Sequence, residues 1–463
     1  MKIELYGGVG EIGGNKILVS HNETNILLDF GMSFNQYGKY FAEFLQPRKS
    51  TALTDFLEFN LLPSLKGVYR QDYLKHMNRP EEECKIDALF LSHAHADHAQ
   101  YIHFLRKDIQ IFCSEESKSI LQSLETTTAG GIRDFITVCD AFTFFNTQRG
   151  TKSRVTRKKE EFVHDRSYTI MNPGNQVDIG SLKVEMIPVD HSLPGACGII
   201  IYSEDGNIVY TGDIRFHGLK NELSQEFVRK AKEARPKWLL CEGTRIDKED
   251  TDGEKYVKQK ITNIAESAEG IIFVEHPIRD IDRVLTIFDS AKANNRDFVV
   301  TLKLAYLIET LGERSPLKLS EVKIFIPKKS WGLIGRDDVE KYQIERDYGT
   351  WEREYIFREN AITSREIKES PQDYILSMNM WEINQLTDIK PTGAVWVKSS
   401  CIPFSPEMEM DEERKKRMLS HFNIAQEFAH SSGHASGPEI REMIAVINPS
   451  ELIPIHTEKP ELF

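Results

Sequence analysis

Five short apolar runs in this chain each end abruptly in a residue able to hold a proton or a cation. DALFLS (87–92) leads into His93, KVEMIPVD (183–190) into His191, NIVYTG (207–212) into Asp213, KWLLC (237–241) into Glu242, and ELIPI (451–455) into His456. Runs of this length read as buried strands. A strand that delivers a polar side chain at its end is how layered α/β proteins assemble sites. The chain is therefore expected to be α/β, with a site collected from strand ends far apart in sequence.

One of those ends is unusually dense. LSHAHADHAQ (91–100) packs His93, His95, Asp97 and His98 into six consecutive positions. Two histidines separated by one residue can grip one divalent ion from a loop. Asp97 and His98 then face a neighbouring position, which favours a second ion. The further ligands expected at strand ends are His191, Asp213 and His456, and Asp213 in TGD suits an aspartate that bridges two ions. Imidazole and carboxylate without thiolate fits zinc best, with manganese as the competitor.

The remaining signals set bounds. At 463 residues the chain exceeds a typical single domain, so two domains are the default. No apolar run reaches the ~20 residues of a membrane span, and MKIELYGG lacks the apolar core of a signal peptide. Cys84, Cys113, Cys139, Cys197, Cys241 and Cys401 are scattered, with no CxxC pair, so no disulfide framework or thiolate zinc site is indicated and the cytoplasm is the natural compartment. A net charge of −12 argues against a generic nucleic-acid coat. RGTKSRVTRKK (149–159) is nonetheless a basic island, read as a solvated loop or hairpin with a polyanion contact as the sharper alternative.

Two stretches separate the chain into parts. Gly8-Val9-Gly10-Glu11-Ile12-Gly13 matches a dinucleotide fingerprint, but NKILVSHNETNILLDF behind it alternates and turns like a β-hairpin where the fingerprint needs a helix. By contrast GIIFVE, RDIDRVLTIFDSAKANN, DFVVTL and KLAYLIETLG (270–312) read as strand, helix, strand, helix, a parallel unit. Residues 315–390 are charged and aromatic without a readable order, and 38–85 form a long segment before the histidine cluster.

HAHADH together with Asp29, His191 and Asp213 resembles the metallo-β-lactamase fold. GGVGEIGGNKILV, VYTGDIRFHG and HSSGHASGPEIREMIAVINPSELIPIHTE narrow the likeness to the β-CASP nucleases, and within them to ribonuclease J. The resemblance implies a metallo-β-lactamase αββα sandwich over 1–219 and 396–463, interrupted by an inserted α/β β-CASP domain over 220–395. It implies two divalent ions, zinc or manganese, held by His93, His95, Asp97, His98, His191, Asp213 and His456. The family's motif A lands on Glu242, motif B on His434 and motif C on His456; Asp97, Glu242 and His434 are the implied catalytic set, and His430, Ser432 and His434 the implied phosphate contacts. Asp29 is expected beside a ligand, not as one. Motif A reads CEGTRID in place of the aspartate-centred form, and the chain ends soon after HTE, without the extra domain many ribonuclease J proteins carry.

The implied activity is hydrolysis of RNA phosphodiesters by a hydroxide activated between two metals, as a 5′ exonuclease, an endonuclease or both. The alternatives are a β-CASP nuclease acting on DNA and a silent scaffold subunit, the latter disfavoured by the intact ligand set. RNA is the expected partner, no membrane is involved, and a homodimer is compatible with the reading. His217 and His276 are expected to be packed residues, and Arg283 an ion-pairing residue on a helix surface.

Overall fold

The computed structural model describes the chain except residues 43, 49–50, 141, 156–159, 251 and 404. It divides into two compact units. Met1–Phe216, Lys220–Asp250 and Gly433–Phe463 form the first, and His217–Leu219 with Thr251–Ser432 form the second.

The first unit is built on two six-stranded sheets. One orders the strands Lys2–Leu5, Lys16–His21, Thr24–Phe30, Ala88–Phe90, Gln110–Cys113 and Tyr168–Ile170; the other orders Gln176–Ile179, Leu182–Pro188, Cys197–Tyr202, Ile208–Tyr210, Trp238–Glu242 and Glu451–Ile455. The glycine-rich stretch 7–14 is followed by an antiparallel hairpin pairing Lys16–His21 with Thr24–Phe30, with no helix, which disposes of the dinucleotide fingerprint. Val19, Ile26 and Phe90 of one sheet share a core with Val184, Ile199 and Leu240 of the other. Ile200, Val209 and Leu239 face the opposite way, onto Phe227 and Ala231 of helix Asn221–Glu233 and Ile440 and Met443 of helix Gly437–Ile447. The run Ile199-Ile200-Ile201 thus divides between two cores by the two-residue period of a strand. A slip of one residue would exchange those cores, and burial worth about 1.5–3 kcal/mol per isoleucine fixes the register.

The second unit has a seven-stranded sheet, ordered Ala361–Ile362, Lys323–Phe325, Asp297–Val300, Tyr374–Ser377, Ile272–Glu275, Val395–Lys398 and Ala425–Phe428, with every pairing parallel. Helices Ile281–Ala293 and Leu302–Leu311 follow their strands as the pattern 270–312 predicts, started by Asp280 and Thr301 side chains that accept from the Arg283 and Leu304 amides. The division runs differently from the expected 220–395 insertion. Trp238–Glu242 is hydrogen-bonded between Ile208–Tyr210 and Glu451–Ile455, which holds 220–250 in the first unit. Val395–Lys398 and Ala425–Phe428 extend the parallel sheet, which carries 396–432 into the second.

Candidate metal centre

All the strand-end residues singled out above lie in the first unit, and the fold brings them to one place. Ala88–Phe90 delivers Leu91-Ser92 and then His93; Leu182–Pro188 leads to His191; Ile208–Tyr210 leads to Asp213; Trp238–Glu242 ends on Glu242; Glu451–Ile455 precedes His456. Two residues there hold the left-handed backbone that side chains rarely adopt, Asp29 at φ 56° and His456 at φ 51°. Such strain persists only where the surroundings impose it. The backbone also crowds Asp97: a side chain on Gly13 would strike the Asp97 Cβ at 2.7 Å, and one on Gly31 its carbonyl oxygen at 1.7 Å. Glycine is required at both positions by close approach.

Two four-donor sets share one aspartate, which also belongs to a three-donor group with Glu242 and His434. His93, His95, His191 and Asp213 form the first; Asp97, His98, His456 and Asp213 form the second. In the first, His95 Nδ1 stands 3.0 Å from His93 Nε2 and 3.1 Å from His191 Nε2, while Asp213 Oδ2 lies 3.4 Å from His93 Nε2 and 3.7 Å from His191 Nε2. In the second, His456 Nε2 lies 3.1 Å from Asp97 Oδ2, and Asp213 Oδ1 lies 3.2 Å from His98 Nε2 and 3.7 Å from His456 Nε2. A tetrahedral ion with bonds of 2.0–2.1 Å sets its ligands about 3.3–3.4 Å apart. The separations run from 3.0 Å to the 4.0 Å between Asp97 Oδ2 and His98 Nε2 and so bracket that spacing, and each oxygen of Asp213 serves a different set.

A second observation agrees. His98 Nε2 and Asp213 Oδ1 are buried and form no hydrogen bond despite their 3.2 Å separation. Two polar atoms so placed lose water for a charge contact alone, and a cation between them would satisfy both. The residues therefore fit a divalent ion in each set.

The candidate donors are oriented from behind. Asp29 stays outside both sets: its carboxylate accepts from the Ser92 amide and hydroxyl at 2.7 Å each and from the Tyr210 hydroxyl at 2.5 Å, and meets His98 Nδ1 at 2.7 Å. His191 Nδ1 donates to the Gly433 carbonyl at 2.6 Å, and Thr244 Oγ1 meets His456 Nδ1 at 2.8 Å. Binding the second ring nitrogen fixes which one faces a metal. A buried ion pair that the sequence did not disclose ties two ligand loops together. Arg215 Nε donates to Asp190 Oδ1 at 2.8 Å and the Arg215 amide to the Asp190 carbonyl at 2.8 Å, so the loops carrying Asp213 and His191 are joined directly. The only advance signal was position, one residue before His191 and two after Asp213.

Charge accounts for the protons. Burial and neighbouring histidines push His93 and His191 below the ordinary histidine value. Burial opposes charge on His98 and His456 too, but Asp213 with Asp29 or Asp97 outweighs it and holds both above that value. Asp97 and Asp213 are correspondingly held below the usual carboxylate range, against burial, by the histidines facing them. In the protein alone, protons sit where cations would neutralise the same carboxylates.

Glu242 and His434 adjoin this centre. Glu242 is fully buried; its Oε1 faces His434 Nδ1 at 3.0 Å and accepts from the Ile214 amide at 3.2 Å, and its Oε2 accepts from the Thr244 amide at 2.9 Å. His434 Nδ1 lies 3.9 Å from Asp213 Oδ2. Burial disfavours its charge, yet Glu242 and Asp213 lift it to about 9.

Of the other expected residues, His430 and Ser432 belong to the second unit. There His430 Nδ1 stands 3.3 Å from Arg283 Nη1, and the Ser432 carbonyl accepts from His217 Nε2 at 3.1 Å. Arg283 is not on a helix surface. It is fully buried, its guanidinium donating to both Glu254 oxygens at 2.7 and 2.9 Å and to the Ser399 carbonyl at 2.8 Å, because its helix face turns inward against helix Glu254–Ser267. His276 is packed, with Nε2 2.9 Å from Ser377 Oγ. The basic island forms a hairpin pairing Phe144–Asn146 with Lys152–Arg154; Arg157, Lys158 and Lys159 lie outside the described residues.

The chain resembles known proteins over its whole length. Residues 59–250 match the beta-lactamase superfamily domain, and residues 424–462 match the Zn-dependent metallo-hydrolase RNA specificity domain. Over 99% of its length the chain is 23% identical to the ribonuclease J of Mycoplasma genitalium, covering 68% of that protein, and 21% identical to the ribonuclease J of Pyrococcus abyssi, covering 90%. A crystal structure of an Enterococcus faecalis protein of unknown function superimposes with a TM-score of 0.72 at 22% identity, covering all of this chain and 95% of that one.

Proposed function

We propose that this chain, a ribonuclease J-like protein of the metallo-β-lactamase fold, is a metal-dependent ribonuclease that holds two divalent ions, zinc before manganese. The observation that carries the reading is the pair of four-donor sets sharing Asp213, with Glu242 and His434 alongside. When bound, the ions lower the pKa of a water toward ~7 and neutralise charge that builds on a phosphodiester. His93, His95 and His191 would hold one ion and Asp97, His98 and His456 the other, with Asp213 available to both.

His434 is the group for the leaving oxygen. Glu242 takes its Nδ1, so Nε2 is the atom that would carry a proton outward. Glu242 acts through His434 by orientation. His430 and Ser432 are assigned to substrate phosphate. Six cysteines without a disulfide suit a cytoplasmic enzyme, and no helix among the described residues is long and apolar enough to cross a membrane.

The test offers metal-loaded protein linear 5′-monophosphate, linear 5′-triphosphate and circular RNA beside matched DNA. RNA hydrolysis abolished by chelation is expected; cleavage of circular RNA marks endonuclease action, and preference for 5′-monophosphate ends marks exonuclease action. DNA cleaved better than RNA, or hydrolysis indifferent to chelation, overturns the reading.

A further inference from the structure

Residues 34–59, in the long segment before the histidine cluster, carry an unusual concentration of aromatic rings in two layers. The inner layer is buried: Phe41 and Phe56 are 8% and 0% exposed, and Phe56 packs on Tyr101 and Phe104 with ring centres 5.3 and 5.2 Å apart. The outer layer is open to solvent. Phe34, Tyr40, Phe44 and Phe59 are 45%, 42%, 92% and 38% exposed. The layers are rigidly joined, since Tyr40 stacks on Phe59 at 4.4 Å and 13°, and Phe59 meets Phe41 edge-on at 5.9 Å. Several large exposed rings on one short segment mark a surface for a partner.

This strip begins at the metal centre. The Met32 amide donates to the Ala96 carbonyl at 3.0 Å, inside the HAHADH loop, and Ser33 Oγ donates to Glu11 Oε2 at 2.6 Å. Glu11 in turn bridges to Thr457, the neighbour of His456. Phe34 is therefore one residue beyond contacts that reach both ends of the second donor set. Lys39 adds an exposed positive charge among the rings, while Arg48 is paired with Asp55.

We infer that Phe34, Tyr40 and Phe44 form a stacking track for unpaired bases of a single RNA strand whose phosphate lies at the metal centre. This rests on the ribonuclease reading for that phosphate. The occupant follows from chemistry: exposed aromatic rings on a segment that starts beside the donor sets match bases, which all have a π-face, and Lys39 offers a cation to the backbone between them. A track of this kind is indifferent to base identity and selects strands already unpaired.

The experiment measures binding of a short single-stranded oligoribonucleotide to the metal-loaded full chain by fluorescence anisotropy across a salt series. Two triple variants are compared, Phe34→Ser/Tyr40→Ser/Phe44→Ser and Phe34→Leu/Tyr40→Leu/Phe44→Leu, with metal content and sedimentation recorded for each. Both are expected to weaken binding about tenfold to a hundredfold with metal content unchanged. The slope of affinity against salt should be preserved, because stacking releases no counterions. An abasic oligoribonucleotide should bind wild type as poorly as the normal strand binds the variants. Unchanged affinity in both variants overturns the track, as does failure of wild type to bind single-stranded RNA. If leucine restores binding and serine dissociates a dimer, the strip is an interface between copies, and the inference falls. Strong binding through the strip without any RNA hydrolysis would remove the ribonuclease reading and leave the track standing.

Discussion

Each unit buries a dense group of charged side chains, and the two groups solve the cost of burial in opposite ways. In the second unit Arg283 is saturated by protein: Glu254 takes two of its donors, and Ser399 and Ser431 carbonyls take others. In the first unit Asp97 and Asp213 face five imidazoles, and His98 Nε2 and Asp213 Oδ1 are left without hydrogen bonds. A closed group needs nothing further and serves the fold. An open one is unfinished and calls for something from outside. The difference teaches that burial of charge marks a site only when the protein has not supplied the partner.

The strongest way to break this comparison is to remove the residue both donor sets share. Asp213→Ala should lose both ions and reduce RNA hydrolysis to background, while the chain stays folded, because the open group was never saturated. His456→Ala should lose one ion only. Metal analysis by mass spectrometry beside circular dichroism checks both; two ions retained in Asp213→Ala would show that the sets are not what holds metal.

His434 sharpens the boundary of the open group. It sits 3.9 Å from Asp213 yet is bound by Glu242. His434→Ala should keep both ions and slow turnover by about 10²–10⁴-fold. A phosphodiester with an activated leaving group, needing no protonation, should recover much of that loss. Loss of metal from His434→Ala alone, with His456→Ala fully loaded, would reverse the two assignments.

The open group was far more legible in sequence than the closed one. Its candidate donors close short apolar strands, and four of them crowd into six positions, so residue type and spacing together announce it. Arg283 sits in RDIDRV, where periodicity gives a helix but not which face is covered; Glu254 is 29 positions away. Asp190 and Arg215 were missed for the same reason, a pairing visible only once two loops meet. The order of strands was hidden as well: Trp238–Glu242 and Glu451–Ile455 pair across more than 200 residues, so the boundary at 220 read as the start of the insertion. Residues 315–390 hide strands of three, two and four residues, Lys323–Phe325, Ala361–Ile362 and Tyr374–Ser377, too short for any period to show.

Breaking the closed group should cost stability and not chemistry. Arg283→Met leaves the Glu254 carboxylate buried without its cation, and the second unit should lose about 3–5 kcal/mol. Arg283→Met/Glu254→Leu, which removes both charges, should regain most of it. Four of the five tryptophans, Trp331, Trp351, Trp381 and Trp396, lie in this unit, so urea unfolding followed by fluorescence reports on it. If the single variant unfolds like wild type, the pair is not the saturated group described here.

The smallest effect comes from a histidine beside that closed group. His276 is buried against Ser377 and the Pro277 carbonyl, and burial together with the nearby Arg283 cation pushes it down to about 4, despite that carbonyl bond and the Glu254 charge, which both favour its protonated form. An unfolded histidine titrates near ~6.5. Because the folded value is depressed, the unfolded chain binds the proton more readily, and the stability His276 contributes is complete above pH ~6.5. It drains as pH falls toward 4, by roughly 2–3 kcal/mol over the window. Acidification from pH 7 to 4.5 should therefore lower the urea midpoint of the tryptophan signal in wild type, and His276→Asn should flatten that dependence while starting from a lower midpoint. Identical pH slopes in the two proteins would mean that His276 takes up its proton as readily in the folded chain as in the unfolded one, and burial in the closed group would then not be what holds it neutral.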